Sequence, residues 1–375
     1  MRTVKLLIPL LLVVALALCC QRRPLFYMEE EGMKVIVKVL WKAEVYPEGI
    51  KPSGVSLYLF RDGEFYMAHT TSNVDSSALQ LEPGTYRLFM ITQSPEEYGR
   101  MEFDHMTDFN NASVSVTETQ SKWYSRAADE ELISNPEMMS VGVSEVFEVS
   151  EETVENYQHY THNLNQYRRA AGTKADGDIE DPTLADDINQ AQTMINYYTI
   201  RVPIYPKSIV SQYWVTIYSD NVDVLMSVRA STSGMAKTFE LTQDVTGEDI
   251  GTQFITQWAM TIDEPATRIG HVDGKITTFG FPNGEVPSAM RDSTLNVSAL
   301  LIDNQTVENY VFNVGDKITS EDPPEGYRAL YRLIFGSTSA PAIHPPDVRP
   351  PDSGGGGFTA GVTEWDEEMH VGVDI

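Results

Sequence analysis

Between Met33 and Phe335, apolar residues recur at every second position in short runs separated by turn residues. A period of two places side chains on one face of a strand, whereas a helix needs about 3.6. MKVIVKVLWK (33–42) sets Val35, Val37, Val39 and Trp41 on one face, with lysines on the other. VSLYLF (55–60) and FYMAHTT (65–71) flank Arg61-Asp62-Gly63-Glu64, and Asp-Gly between two apolar runs is a strong hairpin signal. LQLEPGTYRLFMIT (79–92) reads as a second hairpin turning at Glu82-Pro83-Gly84. ASVSVT (112–117) alternates cleanly, and VGVSEVFEV (141–149) closes the first half. A second series starts at YYTIRVPIY (197–205). It continues through QYWVTIY, VLMSVRA, KTFEL, ITTFGF, LNVSALLI, NYVFNV and YRLIF. Many short strands at this spacing predict an all-β fold of sandwiches, not α/β units.

One region breaks the pattern. Ser150 is placed to cap a helix whose first turn holds Glu151 and Glu152. Val154, Tyr157, Tyr160, Leu164 and Tyr167 follow at helical spacing, Arg168 and Arg169 close the last turn, and Gly172 suits a C-terminal cap. An acidic loop, ADGDIEDPTLADD (175–187), comes next. The chain therefore divides into a first sandwich at 20–149, a helical and acidic insert at 150–195, and a second sandwich at 196–375. Within the last, APAIHPPDVRPPDSGGGG (340–357) reads as a stiff proline stretch followed by a flexible glycine run. FTAGVTEWDEEMHVGVDI (358–375) reads as a final pair of strands that must pack on something.

The N-terminus carries a different signal. Arg2 and Lys5 precede an apolar run from Leu6 to Leu18, too short to span a bilayer as a helix. The only two cysteines, Cys19 and Cys20, follow it directly, and charge resumes at Arg22 and Arg23. Adjacent cysteines close no useful loop. The arrangement resembles a bacterial lipoprotein signal, in which the first cysteine after cleavage is acylated. A small residue is wanted just before that cysteine. Leu18 is bulky and Cys19 is small, so residues 1–19 are assigned as signal peptide and Cys20 as the lipidated residue. The alternative is a plain secretory signal. Stable anchoring needs more than one acyl chain, a condition that a lipoprotein cysteine meets. The mature chain would keep no thiol, hence no disulfide, thiol catalysis or zinc–thiolate site.

Charge narrows the partners. The chain has 27 basic and 54 acidic residues, a net charge of −27. Losing Arg2 and Lys5 with the signal makes it more acidic still. Nucleic acid and anionic lipid headgroups are excluded as partners on this ground, so membrane attachment would be covalent.

No catalytic, cofactor or metal set emerges. In the acidic loop Asp176, Asp178 and Asp181 approach the start of a calcium loop. However, Asp181 stands where the sharp turn wants glycine, and Asp187 where a bidentate glutamate belongs. His159 and His162 lie three apart on the helix without a third ligand at a recognisable spacing. His69, His105, His271, His344 and His370 are scattered singly. GxSxG, HExxH, SxxK and phosphate-cradling glycine loops are absent from the sequence. Tyr157, Tyr160 and Trp214 are aromatic residues that would stack on sugar rings if exposed, and core residues otherwise.

CQRRPLFY (20–27), EPGTYRLFMIT (82–92), STSGMAKTFEL (231–241) and GGGGFTAGVTEW (354–365) occur in this order along the chain. Together they resemble an uncharacterised lipoprotein family of gut and oral anaerobes that is similar to fimbrillin-type pilins and pilus anchors. The resemblance implies two tandem transthyretin-like β-sandwiches, held by lipid in the outer membrane and facing outward. It also implies a non-enzymatic role in fimbrial assembly and adhesion, with other fimbrial subunits as partners through strand addition. Subunits of this kind polymerise after a protease cuts past an arginine that follows the first strand. Here no arginine follows Met33–Lys42 before Arg61, so the first strand should stay in place and the protein act as an anchor or accessory subunit. Two other classes remain: a glycan-binding surface lipoprotein of a polysaccharide uptake system, and an exported glycosidase. The 358–375 tail would be either an intramolecular strand or one donated to a partner.

Overall fold

The computed structural model describes residues 32–121, 130–171, 182–284 and 293–351. The architecture is all-β, with several packed sheets and two described helices. Two compact units are present, and neither is one continuous stretch. Among the described residues the first comprises the chain up to Ser94, Met106–Phe109 and Val141–Pro206. The second comprises Pro95–His105, Asn110–Ser140 and everything from Lys207 on. The expected linear borders at 149 and 195 therefore do not coincide with how the chain is partitioned.

The first unit begins with β1 (Met33–Val39), β2 (Val55–Arg61), β3 (Glu64–Thr71), β4 (Ser76–Leu81) and β5 (Gly84–Thr92). The alternation in β1 buries Met33, Val35, Val37 and Val39 and leaves Lys34 and Lys38 outside. The β2–β3 hairpin forms as expected. Asp62 and Gly63 sit at φ 53° and 90°, the pair of positive values that a two-residue turn between twisted strands requires.

The second expected hairpin does not form. β4 pairs with β1 and β5 pairs with β2, so Glu82-Pro83 carries the chain from one sheet to the other. Both strands are apolar on one face, and each face is buried in the same core from opposite sides: Leu79 and Leu81 against Tyr86, Leu88 and Met90. Periodicity reports the buried face and not the partner strand. Arg61 holds this crossing through Glu82 at 2.7 Å, and the Tyr86 hydroxyl donates to the Glu82 carbonyl at 2.9 Å. Burial pushes the Tyr86 hydroxyl up to about 12, only partly opposed by the Arg61 charge.

After β6 (Met101–Asp104) and β7 (Ser113–Val116), which belong to the second unit, the chain returns with β8 (Ser140–Val143) and β9 (Phe147–Val149). Both pair with β5. Ser144 interrupts them, its hydroxyl accepting from the Leu88 amide at 3.0 Å. The helix α1 (Glu151–Ala170) starts where the sequence places it, with the Ser150 side chain accepting from the Thr153 amide. Val154 and Tyr157 pack on the first core. Gly172 lies outside the described residues.

The acidic segment expected as a loop over 175–187 is helical in its described part. From Pro182 the chain forms a second helix, α2 (Pro182–Tyr198), with proline in the first turn, where its missing N–H costs nothing. Ile188 and Ala191 of α2 close on Leu164 of α1 in a small core of their own. β10 (Ile200–Ile204), expected to open the second sandwich, instead runs parallel to β1. The first strand is thus central in its sheet, between β10 and β4.

The second unit takes in β11 (Lys207–Ser208), β12 (Ser211–Ser219), β13 (Leu225–Ala236), β14 (Thr238–Glu240), β15 (Val245–Thr246) and β16 (Ile250–Ile255). It continues with β17 (Trp258–Glu264), β18 (Ile269–Thr278), β19 (Thr294–Leu301), β20 (Val307–Asn313), β21 (Ile318–Glu321) and β22 (Leu330–Phe335). Its sheets run β17-β18-β12-β22-β21 and β16-β13-β19-β20, with a smaller β15-β14-β7-β6 sheet beside them. Tyr213, Val215 and Ile217 of β12 and Leu295, Val297 and Ala299 of β19 are buried in its interior. Of these strands β11, β15, β16, β17 and β21 were not anticipated from sequence.

Candidate functional site: an edge strand of the second unit

The chain turns a corner between the two sheets at Thr256-Gln257, passing from β16 to β17. The Trp258 indole N–H donates to the Ile255 carbonyl at 2.9 Å and seals that corner. Gly274, opposite Trp258 on β18, is required there. A Cβ at that position would come within 2.7 Å of Ile255 and 2.8 Å of the indole.

β17 then runs as the last strand of its sheet. Among the described residues it pairs with β18 alone, and from Ala259 to Glu264 every residue is exposed. Met260 is opposite Val272 and Ile262 opposite Gly270, so both continue the row that holds the buried Val272. They are nonetheless 46% and 48% exposed, an apolar row reaching past the covered core. An edge that has one strand partner among the described residues and carries exposed apolar side chains is a template for another strand. On the opposite face His271 bridges two carboxylates, with Nδ1 2.7 Å from Asp263 and Nε2 3.3 Å from Asp273. Tyr218 lies beside its ring at 5.4 Å.

The tip of the β17–β18 hairpin is tied to the C-terminal segment. Arg268, at φ 58°, donates through Nε to both carboxylate oxygens of Asp223 (2.8 and 2.9 Å) and through a terminal nitrogen to Asp347 (2.9 Å). The two carboxylates hold its guanidinium above the usual arginine range. The proline stretch from 340, expected to be a linker, is docked in its first half. Ala342 and Ile343 donate to the Tyr218 carbonyl, and Ile343 bridges Ser219 and is 1% exposed. Asn221 reaches the Pro345 carbonyl at 3.1 Å, and His344 pairs with Asp220 at 2.7 Å. Nothing in the alternation of β17 marked it as an edge. The sequence reading placed no strand at 258–264, and Arg268 meets Asp347 only in the folded chain.

The residues singled out from sequence are dispersed. Cys19, Cys20, Asp176, Asp178, Asp181 and the 358–375 tail lie outside the described residues. Asp187 falls on α2. His159 and His162 stand on α1 next to Asn163 and Gln166, at 3.1 and 2.8 Å. Tyr160 stacks on Tyr198 with centroids 5.9 Å apart. Trp214 is flanked by the strand neighbours Arg332 and Lys275, at 4.7 and 6.0 Å. Tyr157 and Tyr160 belong to the first unit and Trp214 to the second, and Tyr157 packs on the first core. Among the described residues no three His, Cys, Asp or Glu side chains are placed to hold a metal, and no helix is long and apolar enough to cross a membrane.

No curated protein matches the sequence. Among solved structures, a candidate adhesin from Bacteroides ovatus superposes with a TM-score of 0.49 at 12% identity, covering 88% of this chain and 98% of that one. The fimbrial anchor protein Mfa2 from Porphyromonas gingivalis gives 0.41 at 12% identity, over 80% of this chain and 90% of its own. The tip fimbrial protein Mfa3 from the same organism, with a C-terminal truncation, gives 0.30 at 12%, over 80% and 94%. Superpositions of this quality transfer neither residue roles nor an activity. The sequence itself is assigned more directly: residues 19–256 match the family described as a domain of unknown function, DUF5119, and the chain belongs to that family.

Proposed function

We propose that the protein is a non-enzymatic, lipid-anchored surface subunit of the fimbrillin type, which serves the assembly or anchoring of surface fibres and so adhesion. Acyl chains on Cys20 hold it at the outer membrane, facing outward, and another subunit is recruited by strand addition. The observation that carries the reading is β17, an edge strand with Met260 and Ile262 exposed along it. The place of β1 supports an anchor or accessory role, since a strand held by β4 on one side and β10 on the other is not one the fold gives up readily. The apolar run ending at Cys19-Cys20 supports the lipid.

Mass spectrometry of the N-terminal peptide from membrane-purified protein tests it. Acylated Cys20, with residues 33–42 still attached, is expected. An N-terminus at Gln21 or an unmodified Cys20 overturns the anchor, and a chain that starts between Lys42 and Val55 overturns the accessory role in favour of a polymerising subunit.

A further inference from the structure

After β22 the chain turns back across the end of its own sheet. Gly336 makes the reversal: its φ is 75°, and a Cβ there would stand 2.6 Å from the Ala342 nitrogen. Ser337 and Ala340 then bond each other's backbone at 2.9 and 3.1 Å, which closes the turn. Ile343 bridges Ser219 in parallel register. β18 already occupies one side of Ser219, through Gly270, so Ile343 takes the side that β22 holds as far as Ile217. Four residues later Asp347 accepts from Arg268, which directly precedes β18. Residues 343–347 therefore cross the end of β12 from its β22 side to its β18 side, as a strap.

The strap is held differently at its two ends. At its start Ile343 and Pro345 are buried, and the Asn221 side chain donates to the Pro345 carbonyl at 3.1 Å. Its charged contacts are with His344, which meets Asp220, and Asp347, which meets Arg268. The His344 and Asp347 side chains are 65% and 71% exposed, so water and salt screen both pairs. A segment with few buried contacts and exposed polar ones opens at a lower free energy than the core around it. What it holds is the hairpin tip. The Arg268 guanidinium is shared between Asp223, in the turn Val222–Val224, and Asp347 on the strap, while the Arg268 carbonyl accepts from the Val222 amide at 3.0 Å. With the strap released, the tip hangs on that turn alone.

We infer that residues 343–347 are a releasable lock, anchored by Ile343 and latched by Asp347 on Arg268, which fixes the tip of the β17–β18 hairpin against the end of β12. The lock decides how firmly β17 is presented. It bears in that way on the strand-addition reading above without depending on it.

Hydrogen exchange of the full-length chain, read on peptides covering 219–224, 263–270 and 340–346, tests it. These report the Val222 amide, which donates to Arg268, the Thr267 amide in the hairpin turn, and the Ala342 and Ile343 amides, which donate to Tyr218. Asp347→Asn should speed exchange in all three by about two- to fivefold, the size that loss of one exposed ion pair gives. Ile343→Ser should speed it by roughly tenfold or more, since it removes the buried anchor. Raising the salt to about 1 M shortens screening to about 3 Å and should act on wild type as Asp347→Asn does. It should add little in the double variant Asp347→Asn with His344→Gln. Peptides of β13, in the other sheet, are the reference and should keep their wild-type rates throughout. Unchanged rates in both Asp347→Asn and Ile343→Ser would overturn the lock. Equal acceleration of β13 would overturn it too, because the strap would then open only with the whole unit. A full salt response in the double variant would overturn the ionic latch. None of these readouts involves a second subunit, so the lock and the strand-addition reading can each fail without the other.

Discussion

Removing the first strand is the most demanding test of the accessory-subunit reading. β1 buries Met33, Val35 and Val37 completely and Val39 to 4% exposure. Burying one such side chain is worth about 1.5–3 kcal/mol, so the four together contribute roughly 6–12 kcal/mol. That is about the whole stability of an ordinary domain, ~5–15 kcal/mol. The ladders to β4 and β10 are lost as well, leaving both without their shared partner. A chain beginning at Ala43 should therefore lose the folded first unit while the second, to which β1 and its two neighbours do not belong, persists. Hydrogen exchange read by mass spectrometry resolves the two. Amides of Ser76–Leu81 and Ile200–Ile204 should lose protection, while those of Ser211–Ser219 should keep it. A synthetic peptide of residues 33–42, added in excess, should restore the lost protection. Equal protection of β4 and β10 with and without the strand would show that β1 is dispensable, and the argument that it must be retained would fall.

Three further outcomes follow from the second unit. Gly274→Ala should destabilise it by about 1–3 kcal/mol in denaturant titration, because the new methyl overlaps Ile255 and the Trp258 ring. Met260→Ser with Ile262→Ser should shift stability by no more than about 0.5 kcal/mol per site, as exposed positions do, yet weaken capture of an added strand in a peptide-binding titration. The Asp303 carboxylate accepts from the Gln305 and Thr306 amides and the Thr306 hydroxyl, which holds its pKa below the ordinary 3.8. A group lowered on folding stabilises above its unfolded pKa and loses that contribution as pH falls through the folded value. The stability gap between wild type and Asp303→Ala should accordingly be constant near neutrality and close below about pH 4. A gap that widens in acid would contradict the assignment.

The site reached by these arguments was only half legible in the chain. Alternation over 33–42 and 112–117 gives strands because a period of two is a local property that any sheet reads the same way. The Asp62-Gly63 turn and the Ser150 cap are likewise short-range: each needs only its own neighbours to be satisfied. Glu82-Pro83 shows where this ends. The same residues suit a hairpin or a step between sheets, and the choice falls to which faces must meet in the core. β10 was misplaced for the same reason, since a parallel partner at β1 lies more than 160 positions away in sequence and leaves no local trace.

What the sequence by itself determined is the all-β class, the alternation of β1, the Asp62-Gly63 turn and the capped helix α1. All rest on spacings of a few residues, where backbone geometry leaves little freedom. Only the tertiary structure decided that β1 is enclosed, that the chain visits both units more than once, and that β17 is an edge with Asp347 pinned at its tip. An edge is the absence of a neighbour, and whether a strand has one depends on every other strand in the sheet.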